Sequence, residues 1–260
     1  MIAAKPRVLV LRAPGTNCDE ETAFAFEQAG ACVERIHIRQ ILDSPDLTKQ
    51  FQILCLPGGF SYGDDIAAGR ILANQIRYYL RDAMEEFRQT EKLVLGVCNG
   101  FQVLIKSGIL ADSSPRSPAT LTWNDSGRFE DRWVYLSVDG DKCPMLSGVT
   151  RMYLPIAHAE GKFVASDSGT LDSLGQSGQL VLRYSDSSGS TNGQIGYPEN
   201  PNGSEGHVAG MCDTTGRVLG LMPHPERFID PTHHPRWTRG EAGERGDGIA
   251  IFENAVSYFG

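Results

Sequence analysis

No C-x-x-C pair occurs among the six cysteines of this 260-residue chain (Cys18, Cys32, Cys55, Cys98, Cys143 and Cys212). Their scatter argues against a thiolate zinc site or a disulfide framework, so reduced thiols are expected. Basic excess is also missing. A formal net charge of −8 argues against a nucleic-acid binder, because phosphate backbones are held by concentrated Lys and Arg. Long apolar runs are scarce as well. Val8-Leu9-Val10-Leu11, which follows Met1-Ile2-Ala3-Ala4-Lys5-Pro6-Arg7, is far too short for a membrane helix, and no small-residue cleavage site follows it. A cytoplasmic protein without membrane contact is expected. A G-x-x-x-x-G-K-[ST] phosphate loop is absent, so the chain shows no nucleotide site of its own. Internal repeats and Pro-rich linkers are absent too, which favours one domain over 1–260. What is present, 40% hydrophobic and 22% charged residues, is the composition of an ordinary soluble protein large enough to hold a core without staples.

The first part alternates strand-like and helix-like segments. Arg7–Leu11, Cys32–Ile38, Gln52–Leu56 and Leu93–Val97 read as strands. Asp19 is placed to cap a helix over Glu20–Ala29, with Gly30 as its stop. Apolar residues recur at helical spacing from Ile71 to Gln89, and Phe101–Leu104 opens another helix. This alternation predicts an α/β fold with a mostly parallel sheet and helices on both faces. The middle differs: Ala119–Trp123, Phe129–Val138, Tyr153–Ile156 and Leu180–Tyr184 read as antiparallel additions to that sheet. Ser185–Asn202 reads as an exposed loop, Val218–Met222 as a strand and Ile249–Tyr258 as a closing helix.

The sharpest chemical signal is Gly96-Val97-Cys98-Asn99-Gly100, with a strand entering and a helix leaving. It is the cysteine form of a nucleophile elbow, in which flanking glycines let strand and helix crowd together and leave the nucleophile exposed above the sheet. A helix N-terminus there favours thiolate. The plainer alternative is a small buried cysteine in a tight turn. A cysteine nucleophile needs a base and a group that orients it. Two His-x-Glu pairs are available, His158/Glu160 and His224/Glu226, and their spacing does not choose between them. Backbone donors for an oxyanion are offered by Asn99, directly after the cysteine, and by the Pro57-Gly58-Gly59 turn that closes the Gln52–Leu56 strand. Cys18 also precedes a helix but lacks the glycine elbow. Asp64-Asp65 reads as a loop pair near the Ile71 helix or facing a partner. His233-His234 lacks a third ligand at a recognisable spacing, so no metal is expected.

Three segments together resemble the class I, triad-type glutamine amidotransferases: Leu56-Pro57-Gly58-Gly59, Gly96-Val97-Cys98-Asn99-Gly100-Phe101-Gln102 and Pro223-His224-Pro225-Glu226. Pro14-Gly15-Thr16-Asn17-Cys18-Asp19, Gly58-Gly59-Phe60-Ser61-Tyr62-Gly63-Asp64-Asp65 and Pro155-Ile156-Ala157-His158-Ala159-Glu160-Gly161 narrow the resemblance to the glutaminase subunits of phosphoribosylformylglycinamidine synthase. It runs from Arg7 to about Phe259 and implies a flavodoxin-like fold. It further implies Cys98 as nucleophile, His224 as base and then acid, and Glu226 as orienter. The Gly59 and Asn99 amides would form the oxyanion hole, and Gly58 and Gln102 would help hold the substrate glutamine. His158 and Glu160 would have an accessory place near the site or the partner interface. No cofactor is implied in this chain; ATP and Mg would serve a separate synthetase subunit, joined by a small bridging subunit. Ala159 stands where that family often has Gly, and 230–248 is longer than in its compact members.

Overall fold

The structure is a computed structural model and describes residues 4–110, 117–192 and 195–260. Met1-Ile2-Ala3, and Gly193-Gln194 of the Ser185–Asn202 loop, lie outside them.

From the N-terminus, strands and helices alternate: β1 (Arg7–Arg12), α1 (Asp19–Gln28), β2 (Cys32–His37), α2 (Ile38–Asp43), β3 (Ile53–Leu56), α3 (Arg70–Tyr79), α4 (Arg81–Gln89), β4 (Leu93–Val97) and α5 (Asn99–Ser107). There follow β5 (Ala119–Thr122), β6 (Glu130–Val138), β7 (Arg151–His158), β8 (Lys162–Ala165), α6 (Ser168–Gln176), β9 (Leu182–Ser185), β10 (Val208–Cys212), β11 (Val218–Leu221) and α7 (Ile249–Ser257). Nine strands form one sheet in the order β2-β1-β3-β4-β11-β10-β9-β6-β7. The first five are parallel, and β10, β9, β6 and β7 extend the sheet in antiparallel fashion. β5 and β8 do not join it but pair separately.

β3, β4 and β11 are buried at every position, as continuous apolar strands covered on both faces must be. The chain passes from β1 outward to β2, then returns to build β3, β4 and β11 on the other side. Right-handed crossovers therefore place α1 on one face and α3–α5 on the opposite one. α1 packs with α7, where Phe26 and Phe252 meet edge to face at 4.9 Å. Reversal of strand order between β1 and β3 opens a crevice at the carboxyl ends of the parallel strands, the place where such sheets bind ligands. Among the described residues no helix is long and apolar enough to cross a membrane.

Several expectations need correction. The 71–89 segment is two helices, because Leu80 leaves helical torsions (φ −121°, ψ 12°). The bend lets Leu80, Met84 and Phe87 stay buried while Tyr79 is exposed. Asp19 does not cap α1; Cys18 takes that position without a side-chain cap bond. The Asp19 carboxylate is instead drawn into ion pairs with Arg12 (2.8 Å), the last residue of β1, and Arg35 (3.2 Å), within β2. The Ser185–Asn202 loop is not uniformly exposed: Asn200 and Asn202 are buried and hydrogen-bonded. β8, α6 and β10 carry no strong sequence signal and went unforeseen.

Candidate active site

The ends of β1, β3, β4 and β11 deliver Cys18, Gly58-Gly59, Cys98 and His224 to the same crevice. Cys98 has φ 50° and ψ −105°, a strained conformation for a residue with a Cβ and the mark of a nucleophile elbow. The elbow is possible because α5 runs very close to β3. A Cβ on Gly100 would lie 2.6 Å from the Leu56 carbonyl carbon and 2.9 Å from its Cβ. The Cys98 amide donates to Leu221 O at 2.8 Å, which ties the elbow to β11. Its sulfur lies 3.7 Å from Ala157 O near the end of β7.

Spacing left two His-x-Glu pairs equivalent; folding separates them. His224 Nδ1 and Glu226 Oε1 are 2.6 Å apart, and both residues are buried. The carboxylate accepts from Nδ1–H, which leaves Nε2 as the nitrogen free for proton transfer. Burial alone would depress this imidazole, but the Glu226 charge, then the neighbouring Cys98 and Cys18 sulfurs, raise its pKa well above the ordinary value. His158 and Glu160 form no such pair. His158 Nδ1 meets Asn124 Oδ1 at 3.2 Å, and burial, assisted by the nearby His224, lowers its pKa to about 3. Glu160 accepts from the Ala68 amide at 3.3 Å and lies 3.8 Å from Lys106 Nζ. The reason is local. His158 ends β7 and Glu160 sits in the bend beyond it, so the two-residue strand period no longer aligns their side chains.

Gly59 has φ 138°, and a Cβ there would lie 2.8 Å from the Asn17 amide nitrogen; only glycine fits. Among the described residues the Gly59 and Asn99 amides have no hydrogen-bond acceptor. The Asn99 side chain fixes the turn that carries Gly59: its oxygen accepts from the Ser61 amide (3.2 Å), and Nδ2 donates to Asp64 (3.2 Å) and Gln102 (2.9 Å). Gln102 in turn donates to Glu160 O at 2.6 Å. Its oxygen and one amide hydrogen are thus committed within the protein, leaving one N–H for a ligand. Asp64 also accepts from the Gly69 amide at the head of α3, which explains its place in the loop.

Arg227 and Asn124 were missed in the sequence, and Cys18, set aside there for lack of an elbow, lies beside the site. A Cβ on Gly58 would lie 2.7 Å from His224 Cε1 and 3.1 Å from Cys18 Sγ, so Cys18 lines the site although it is not in an elbow. Arg227 Nη2 donates to Cys18 Sγ at 3.2 Å while its Nε pairs with Glu21. Burial raises the Cys18 thiol pKa. Asn124 holds His158. Ligating atoms of Cys18, His224 and Glu226 lie within 4.8 Å of one another, but the imidazole is already bonded to its carboxylate. His234, in the 230–248 segment, packs against Trp133, Tyr153 and Phe228 at ring distances of 5.9, 5.5 and 5.7 Å.

Residues 5–259 match the family described as the CobB/CobQ-like glutamine amidotransferase domain. A phosphoribosylformylglycinamidine synthase subunit PurQ from Dehalococcoides mccartyi is 46% identical over 98% of each chain. Its namesake from Treponema denticola is 43% identical over 86% of this chain and 89% of that one. A chain in the structure of PurLQS from Thermotoga maritima superposes with a TM-score of 0.73 at 31% identity, covering 99% of this chain and all of that one. Another glutamine amidotransferase from Thermotoga maritima shares the fold at a TM-score of 0.52 and 18% identity, over 91% of this chain and 82% of that one. With a cysteine elbow facing a buried imidazole–carboxylate pair, and with family and relatives matched over nearly its full length, this chain belongs to the CobB/CobQ-like glutamine amidotransferases.

Proposed function

We propose that the chain is the glutaminase subunit of a phosphoribosylformylglycinamidine synthase, acting in purine biosynthesis, and that Cys98, His224 and Glu226 are its catalytic triad. The observation that carries the residue assignment is the strained Cys98 elbow beside the only His-x-Glu pair, among the described residues, whose imidazole and carboxylate meet. Cys98 thiolate attacks the side-chain carbonyl carbon of glutamine, forming a C–S bond. The resulting oxyanion is received by the Gly59 and Asn99 amides. Collapse breaks the C–N bond while His224 Nε2 delivers a proton to nitrogen, leaving a γ-glutamyl thioester and ammonia. Water then attacks the thioester with His224 as base, and glutamate leaves. Gly58 and Gln102 line the substrate's position, and His158 and Glu160 brace its wall.

The relatives' names, which specify one subunit of a synthase and a PurLQS assembly, support delivery of ammonia to a synthetase subunit, with a small bridging subunit completing the complex. The synthetase converts formylglycinamide ribonucleotide to its amidine. ATP and Mg belong to that partner; this chain works without a cofactor, in the cytoplasm, and contacts neither nucleic acid nor membrane. Intact-mass analysis and peptide mapping after treatment with an electrophilic glutamine analogue test the reading. A single adduct on Cys98, blocked by excess glutamine, is expected. Label on Cys18, or none even with the synthetase and ATP present, would overturn it.

A further inference from the structure

Asn124 dictates the state of His158. Its Nδ2 donates to two carbonyls, Arg128 O at 2.9 Å and His158 O at 2.8 Å, so its oxygen is the atom facing the Gly161 amide (3.1 Å) and His158 Nδ1 (3.2 Å). An amide oxygen only accepts, so His158 Nδ1 carries the hydrogen and Nε2 keeps its lone pair. That Nε2 is buried and has no hydrogen-bond partner. A buried acceptor left unmet is costly and rare, and it marks a place where a donor arrives.

Its surroundings name the donor. The residue before it, Ala157, has its carbonyl 3.7 Å from Cys98 Sγ, and the same strand accepts the His224 amide on Pro155 O at 2.8 Å. His158 therefore ends the strand that touches both Cys98 and His224, and its ring is close enough to His224 for the two to interact electrostatically. The donor chemistry produced there is the carboxamide NH2 of glutamine, and then ammonia.

We propose that His158 Nε2 binds the departing amide nitrogen and holds free ammonia before it leaves for the partner, an inference that rests on the glutaminase reading. No proton passes to or from His158. The C–N electron pair and the proton from His224 both go to nitrogen, and His158 only accepts an N–H. Burial keeps its ring neutral down to about pH 3, so it neither repels an incoming donor nor turns ammonia into ammonium, which would destroy the nucleophile the partner needs.

The test uses the whole complex and two substitutions that divide the ring's two nitrogens. Asparagine reproduces the reach of Nδ1, and so keeps the Asn124 bond, but offers nothing at Nε2. Glutamine places an acceptor near Nε2. His158→Asn is expected to lower kcat for glutamate formation about fivefold with KM unchanged. It is also expected to lower the amidine formed per glutamate, while amidine synthesis from added ammonium salt stays normal. His158→Gln is expected to restore both. Wild-type kcat and coupling in His158→Asn would overturn the proposal, as would equal impairment of both variants. Failure of the wild-type complex to hydrolyse glutamine would instead sink the glutaminase reading itself.

Discussion

Substituting Gly100 by alanine sets two effects of opposite sign against each other. In an ordinary helix the change stabilises by about 0.5–1 kcal/mol, because alanine loses less backbone entropy on folding. Here the new methyl would meet the Leu56 backbone on β3, with the carbonyl carbon at 2.6 Å and the Leu56 Cβ at 2.9 Å. Backbone cannot swing aside as a side chain can, so α5 must retreat from β3 by about 1 Å to reach normal contact distances. Overpacking of this kind costs about 1–3 kcal/mol, which outweighs the helix gain. The net loss of roughly 1–2 kcal/mol corresponds to a fall in melting temperature of about 2–8 °C for a chain of this size. The same displacement moves the Asn99 amide and Cys98 against the Gly59 turn, and a 1 Å error in reacting geometry costs about 100-fold in rate. Gly108 is the control. It closes the same helix with φ 85° and open space around its missing Cβ. Alanine there costs about 1–2 kcal/mol of left-handed strain but moves nothing at the elbow. Thermal melts and glutamate production by the complex should therefore show both variants destabilised and only Gly100→Ala inactive. A Gly100→Ala protein that melts at or above wild type with undiminished kcat/KM would refute the steric account.

Other expectations follow from the same geometry. Glu226→Gln removes the charge that lifts His224, so burial then depresses the ring, and kcat for glutamate formation should drop by about 10²–10⁴; a loss below tenfold would deny Glu226 its role. Because the folded His224 pKa is raised, its contribution to stability is fully present below the ordinary value of 6.5 and is lost as pH rises through the raised value; denaturant melts of Glu226→Gln should lack that alkaline decline. His158 behaves oppositely. The unfolded ring takes its proton near 6.5 and the folded ring near 3, so stability should fall by about 1.4 kcal/mol per pH unit over that interval. His158→Asn should shed this slope, and melts at pH 7 and 4 that keep it would disprove the assignment. Asn99→Ala strands the Ser61 amide and Gln102 without their partner, costing about 1–3 kcal/mol and slowing turnover through the Gly59 turn; an unchanged melting temperature would contradict the network. Cys18→Ala should keep both turnover and labelling at Cys98.

Sequence legibility tracked how local the cause was. The parallel half announced itself because β3 and β4 are continuous apolar runs between turn residues, and the elbow because two glycines at fixed offsets have a steric purpose. Gly59 was readable as a turn, although its φ of 138° was not. The choice between His158/Glu160 and His224/Glu226 was invisible to spacing, since it depends on Asn124, Ala68 and Lys106 capturing the first pair from distant segments. The resemblance favoured His224/Glu226, and in the structure that is the pair whose imidazole and carboxylate meet, at 2.6 Å. The place of Cys18 beside the imidazole was hidden in the same way, since it follows from β1 lying next to β3, and with it the contact from Arg227. The helix break at Leu80 was missed because its apolar spacing continues through the bend.

The position of β11 has a consequence for the order in which the site is assembled. It is the seam strand, parallel to β4 on one side and antiparallel to β10 on the other, and it belongs to the last quarter of the chain. The close contacts that shape the elbow, by contrast, join β3, β4 and α5, which are near neighbours in sequence. Contacts of such different sequence separation close at different stages, because distant pairings must first overcome loop entropy. His224 follows β11 directly, so the candidate base can reach Cys98 only once that strand is paired beside β4. Turnover switches on only when the C-terminal segment slots in beside β4, which makes glutaminase activity itself a reporter of completed folding.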